Sequence, residues 1–152
     1  MTSKQHPLWK LETIREHLAA GLPFVKAFGL ALEEATAAYS VVSLRDWAGG
    51  VVRPGGIVAG PALFGMADAA AYALVLAACG DPASTTVEMG IRFQRPAKPP
   101  LVAMAVPLKI GRRLFTVEVR ITPEGNPDLV LVQATTTYAL TAAATRAADA
   151  QE

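Results

Sequence analysis

The run GIVAGPALFGMADAAAYALVLAAC, Gly56 to Cys79, constrains the fold of this chain more than any other stretch. Apart from Asp68, its residues are apolar, small or, at Tyr72, aromatic with one polar tip. A helix that is apolar nearly all round must be covered on most of its sides. Pro61 suits the first turn of such a helix, and GDPAS (80–84) ends it. Ala62 to Cys79 is long enough to raise the question of a membrane span. Asp68 near its middle, the lack of flanking basic anchors and the absence of a second such segment favour a buried core helix.

Around this helix the pattern changes period. Leu8, Leu11, Ile14 and Leu18 repeat at helical spacing, predicting an amphipathic helix over Pro7 to Ala20, stopped by GLP at 21–23. PFVKAFGLALEE reads as a turn entering a strand, AAYSVVSLR (37–45) as a second strand, and DWAGGVVRPGG (46–56) as loop. After the long helix come four strand-like runs: TTVEMGIRFQR, LVAMAVPLKI, RLFTVEVRIT and DLVLVQATTTYAL. Turn chemistry separates them at PAKPP, GR and PEGNP. Strands joined by tight turns pair antiparallel. Pro107 predicts an edge or a bulge, and the alternation of Glu118 and Arg120 with Val117, Val119 and Ile121 predicts one wet face. The simplest architecture is α+β: an antiparallel sheet curled round the long helix, with Gly65, Ala67, Ala69, Ala70 and Ala71 allowing close approach.

A length of 152 residues implies one domain, expected over 1–140, with 141–152 a tail. Hydrophobic residues at 52% against 18% charged leave apolar surface for a subunit interface. The net charge of +1 gives no case for nucleic acid or an anionic membrane as partner. One cysteine, Cys79, excludes an internal disulfide, and MTSKQHPLWKLETIREHL carries no secretory apolar core, so a reducing, cytoplasmic setting is expected.

Elimination narrows the chemistry. His6 and His17 both fall in the first helix region, far in sequence from any nucleophile, and two histidines with one cysteine offer no metal spacing. There is no P-loop and no dinucleotide fingerprint. Asp68 remains, open to two readings: a structural carboxylate that pairs with a buried arginine or caps a neighbouring loop, or a general base or nucleophile in a dry pocket. The helix start at Gly60–Pro61 offers N–H groups to an anion or oxyanion. Gly60 and Asp68 lie about 12 Å apart along one helix, too far to share one carbonyl. They could share it across a dimer of antiparallel copies.

Three segments and their order resemble the hotdog-fold acyl-CoA thioesterases of the phenylacetate-degradation type: AGPALFGMADAAAYA, TTVEMGIRFQRPAK and LKIGRRLFTVEVRI, with PFVKAFGL matching the entry pattern. The resemblance covers about residues 20–140. It implies a hotdog fold, a homodimer or dimer of dimers, and hydrolysis of an acyl-CoA thioester, with coenzyme A entering as substrate and no separate cofactor or metal. It places Asp68 as the catalytic carboxylate, Gly60 as the oxyanion donor and Thr86, from the other subunit, as the hydroxyl that orients water. Lys109, Gly111, Arg112 and Arg113 match the hairpin that holds the nucleotide, and Lys98 follows as a phosphate contact. Arg53, Pro61, Phe64 and Tyr72 would line the substrate site.

The chain departs from the family at defined points. Ala59-Gly60-Pro61 stands where His-Gly-Gly is usual, so one N–H is lost at Pro61. Arg53 stands where Asn or Gln is common; beside the carboxylate it would weaken a base, bind an acidic acyl group or polarise the carbonyl. These changes motivate an alternative, a hotdog protein that binds acyl-CoA without turnover. A dehydratase or hydratase ranks last, since it needs a histidine near the acid and none is placed there by the sequence. Plain alternatives stand beside each role: Tyr72 as core packing, Arg92, Arg95, Arg112 and Arg113 as solvated surface, Trp9 and Trp47 as packing, and Cys79 as a small apolar filler.

Overall fold

A computed structural model describes residues 8–45 and 51–141. Two short helices come first, α1 (Leu11–Gly21) and α2 (Pro23–Ala27), followed by β1 (Leu30–Ala35) and β2 (Ser40–Leu44). A small hairpin, β3 (Val52–Arg53) and β4 (Ile57–Val58), leads into the long helix α3 (Gly60–Cys79). Four strands complete the fold: β5 (Thr85–Phe93), β6 (Leu101–Ile110), β7 (Leu114–Pro123) and β8 (Val132–Ala139). The main sheet is antiparallel in the order β1-β2-β6-β7-β8-β5. This is the hotdog arrangement, one long helix packed on a large antiparallel sheet.

The core lies between α3 and one face of the sheet. Strand periodicity sends Leu101, Ala103 and Ala105 from β6, Phe115, Val117, Val119 and Ile121 from β7, and Val132, Ala134 and Tyr138 from β8 to that face, all buried. From α3 they meet Met66, Ala67, Ala70, Ala71, Leu74 and Leu76, buried to within 1%. By length and composition α3 could cross a membrane, yet it is the covered core helix. Gly80, in the left-handed region at φ 63°, closes its C-terminus. Gly65 answers to α2 rather than to the sheet: a Cβ there would come within 3.0 Å of Phe28 and 3.3 Å of Phe24.

Several elements differ from the sequence expectation. The first helix starts at Leu11, and the segment read as a turn contains α2, whose first residue is Pro23. The stretch read as loop holds β3 and the turn that leads from it into β4. β5 pairs with β8, not with the following β6, because PAKPP carries the chain across to the other side of the sheet. Pro107 sits at a bulge, beyond Ala105, where the β2 ladder ends, so its missing N–H breaks no pairing to β2. Glu118 and Arg120 take the solvent face as expected and pair with each other at 2.8 Å. His6, Trp47 and the tail beyond Thr141 fall outside the described residues.

Candidate active site

Asp68 sits mid-way along α3, where the helix turns from the core toward a cavity of about 340 Å³. Its partners are two hydroxyls. The Tyr138 hydroxyl donates to Asp68 Oδ1 at 2.6 Å and approaches the Asp68 carbonyl at 3.2 Å; Thr86 donates to the same Oδ1 at 3.2 Å. Among the described residues Oδ2 has no donor and Asp68 makes no ion pair, so the buried-arginine reading fails. Tyr138 is 2% exposed. Burial, then the charge and hydrogen bond of Asp68, push its phenol far above the ordinary tyrosine value, so it stays a donor.

Thr86 and Tyr138 are brought together by register: they are opposite each other on β5 and β8, with Phe115 of β7 next in line. Thr86 therefore reaches Asp68 of its own chain; the expectation that the partner supplies it is corrected. Nothing in the sequence marked Tyr138, which looked like one more strand residue. Its signal was positional, an aromatic hydroxyl on the inner face of a strand packed over a buried acid.

The cavity holds a second hydrogen-bonded group. His17, Gly21 and Leu22 line it with Asp68, Tyr72, Ser84, Thr86 and Tyr138. The Tyr72 hydroxyl donates to the Pro82 carbonyl at 2.8 Å. Its single proton is spent there, so His17 Nε2–H donates to the Tyr72 oxygen, 2.9 Å away. Tyr72 is half-buried; burial, then the Asp81 charge, raise its pKa. The expectation that no histidine lies near the long helix is thus corrected: α1 folds back and delivers His17 against it. That nitrogen is engaged by Tyr72, so His17 does not take the place of a base.

Gly60 lies elsewhere. It opens α3 with no acceptor for its N–H among the described residues, and Pro61 follows without an N–H. It lines a separate cavity of about 400 Å³ with Arg53, Phe93 and Arg95. Phe93 and Thr86 are at opposite ends of β5, so within one chain Gly60 and Arg53 are apart from Asp68. Pro61, Lys98 and Phe64 are exposed and line neither cavity; Phe64 is 41% exposed. Lys109, Gly111, Arg112 and Arg113 form the end of β6 and the β6–β7 turn. That turn is tight: the Gly111 N–H donates to the Leu114 carbonyl at 2.9 Å, and a Cβ on Gly111 would stand 3.0 Å from that oxygen. Leu140 N–H donates to the Arg113 carbonyl at 2.7 Å, which sets the basic turn at the sheet end that carries Tyr138. Among the described residues no three His, Cys, Asp or Glu side chains converge as a metal site.

A family model for the thioesterase superfamily matches residues 55–130, half of the chain, from the hairpin before α3 to the turn before β8. The chain belongs to the thioesterase superfamily. Solved thioesterase-type structures share its fold. A candidate thioesterase from Silicibacter sp. TM1040 superposes with a TM-score of 0.78 at 25% identity, over 91% of this chain and 96% of that one. Zebrafish thioesterase superfamily member 2 gives 0.75 at 20% identity, over 88% and 99%. A mutant of the phenylacetic acid degradation protein PaaI from Thermus thermophilus gives 0.66 at 22%, over 78% and 99%. No curated protein matches the sequence. Membership of this superfamily carries thioester hydrolysis as its general chemistry.

Proposed function

We propose that this thioesterase-superfamily protein hydrolyses acyl-CoA thioesters at a site completed by a second copy of the chain. One observation carries the reading: an acid on a buried helix, on a residue that lines a cavity, has one oxygen fixed by two hydroxyls and the other without a donor among the described residues. Tyr138 and Thr86 hold Oδ1 and so orient Oδ2 toward a water. Oδ2 takes the water proton as the oxygen attacks the thioester carbon; collapse of the tetrahedral intermediate breaks the C–S bond, and the CoA thiolate leaves and takes up that proton. Direct attack by Oδ2 on the same carbon is the other route open to this carboxylate.

The oxyanion donor comes from the partner. β5 is the outer strand of the sheet, and its exposed residues include Val87 at 57% and Phe93 at 52%. An unpaired apolar edge of this kind calls for a partner strand. Antiparallel pairing of two β5 strands about a two-fold axis near Met89–Gly90 carries the Thr86 end of one chain to the Phe93 end of the other. Gly60 of the partner subunit, with its free N–H, then faces Asp68. Arg53 of the partner subunit arrives with it, where it polarises the carbonyl or receives an acidic acyl group. The Lys109–Arg113 turn, at the Tyr138 end of the sheet, and Lys98 supply positive charge for the CoA phosphates.

Assay of the wild type against short, medium, aromatic and dicarboxylic acyl-CoAs tests the reading. Hydrolysis that is lost in Asp68→Asn while the dimer persists supports it. A folded dimer inert toward all four classes, yet retaining CoA esters, supports the non-catalytic binding alternative motivated by Pro61 and Arg53.

A further inference from the structure

The cavity at the start of α3 carries a charge pattern that the one at Asp68 lacks. Arg53 and Arg95 both line it, and no acidic side chain does. Backbone bonds set this convergence. Arg53 is opposite Ile57 in the β3–β4 pair, and Val58, next to Ile57, donates its N–H to the Ala97 carbonyl at 2.8 Å. Arg95, just before Pro96 and Ala97, is itself anchored by its N–H on the Leu131 carbonyl at 3.0 Å. The hairpin and the segment after β5 are thus tied together, and each brings one guanidinium to the same cavity.

Two like charges on one cavity repel each other unless an anion joins them. Arg15, Arg45 and Arg120 each meet a glutamate. Arg53 and Arg95 do not: among the described residues neither guanidinium makes an ion pair or a hydrogen bond. A guanidinium offers paired N–H groups that match the oxygens of a carboxylate or a phosphate. The lining also includes Ile57, Leu63 and Phe93, which suits an anion carried on an apolar stem. Gly60 lines the same cavity. A thioester whose oxygen rests on the Gly60 N–H therefore has its acyl chain beside both arginines, whereas the CoA phosphates sit at the far end of the pantetheine arm.

We propose that Arg53 and Arg95 together form a subsite for a terminal carboxylate on the acyl chain, which makes the substrates CoA thioesters of short dicarboxylic acids. The proposal rests on hydrolysis with Gly60 as the oxyanion donor, and it decides the role of Arg53, which receives the acid rather than polarising the carbonyl. In the shared site both arginines belong to the subunit that supplies Gly60, opposite the one that supplies Asp68.

The test compares succinyl-, glutaryl- and adipyl-CoA with butanoyl-, pentanoyl- and hexanoyl-CoA, pairs that differ only in the terminal group. In at least one pair the wild type is expected to favour the acid by about tenfold in kcat/KM. That is the lower end of what a hydrogen bond to a charged group contributes, because both arginines are exposed. Arg53→Gln and Arg95→Gln, made separately, are each expected to bring the ratio toward one, and raised salt to reduce it in the wild type. Calorimetric binding of the same esters and of free CoA to Asp68→Asn reads the preference without turnover. A preference in binding with no hydrolysis by the wild type upholds the subsite and refutes the proposed activity. No preference in any pair by either readout overturns the subsite. Equal losses on both members of every pair in the two arginine variants overturn it too, and where free CoA weakens as much, the arginines hold its phosphates instead.

Discussion

Tyr138→Phe removes one oxygen atom from the buried side of the site. The lost bond runs 2.6 Å from a phenol to a carboxylate, shielded from solvent on the tyrosine side. A hydrogen bond to a charged group contributes about 1.5–3 kcal/mol, against about 0.5–1.5 for a neutral pair. The phenyl ring keeps its packing against Tyr72, so little is lost beyond the bond. At pH 7 the substitution should cost about 2 kcal/mol in urea unfolding, with an unchanged m-value. In the Asp68→Asn background the acceptor is a neutral amide, and the same substitution should cost only about 1 kcal/mol. The difference is the charge-assisted part of the bond. An identical cost in both backgrounds would show that the Asp68 charge is not what Tyr138 meets, and the orientation of Oδ2 would lose its basis.

Further expectations follow from the same geometry. Stability should fall above about pH 10, since an exposed tyrosine in the unfolded chain ionises there while Tyr138 in the folded protein keeps its proton; the unfolded state then binds fewer protons, and Tyr138→Phe should flatten the fall in urea midpoints measured from pH 9 to 11. Cys79 is 4% exposed with its thiol pushed up to about 11 by burial and then by the Asp81 charge, so a thiol reagent at pH 8 should label it only after unfolding. Gly65→Ala must push Phe24 and Phe28 away from α3 and should cost about 1–3 kcal/mol by thermal or urea denaturation. Arg112→Ala with Arg113→Ala should raise KM for CoA esters more than for thioesters lacking the nucleotide; equal effects on the two would return the turn to ordinary surface.

The helix, the strand runs and the carboxylate were legible because each is written locally. Twenty consecutive positions around Asp68 can bury themselves only as a covered helix, and period-two alternation in β7 states which face is wet. What the sequence hid was set by distance along the chain. Tyr138 lies seventy residues from Asp68 and becomes its partner only through the β5–β8–β7 register. His17 looked remote until α1 and α2 turned back over α3, a packing fixed by Gly65 meeting two phenylalanine rings. Thr86 was expected beside Asp68, and it is found there, but in the same chain as its acid, because that depends on which neighbour β5 takes. The separation of Gly60 from Asp68, by contrast, followed from helix rise alone, and the two cavities reflect it.

The claim that the site is shared is tested most directly by mixing two inactive variants. Asp68→Asn removes the carboxylate. Gly60→Pro removes the N–H at a position where proline is tolerated: it is the first helical residue, Ala59 before it is already extended at ψ 145°, and a Cβ there comes only to 3.6 Å from Phe93. Each variant alone should hydrolyse acyl-CoA poorly. Unfolded together and refolded, they should recover about a quarter of wild-type activity, since half the dimers are mixed and each mixed dimer carries one intact site. Mixed dimers without recovered activity would contradict the shared site and place the oxyanion donor within the chain that carries Asp68.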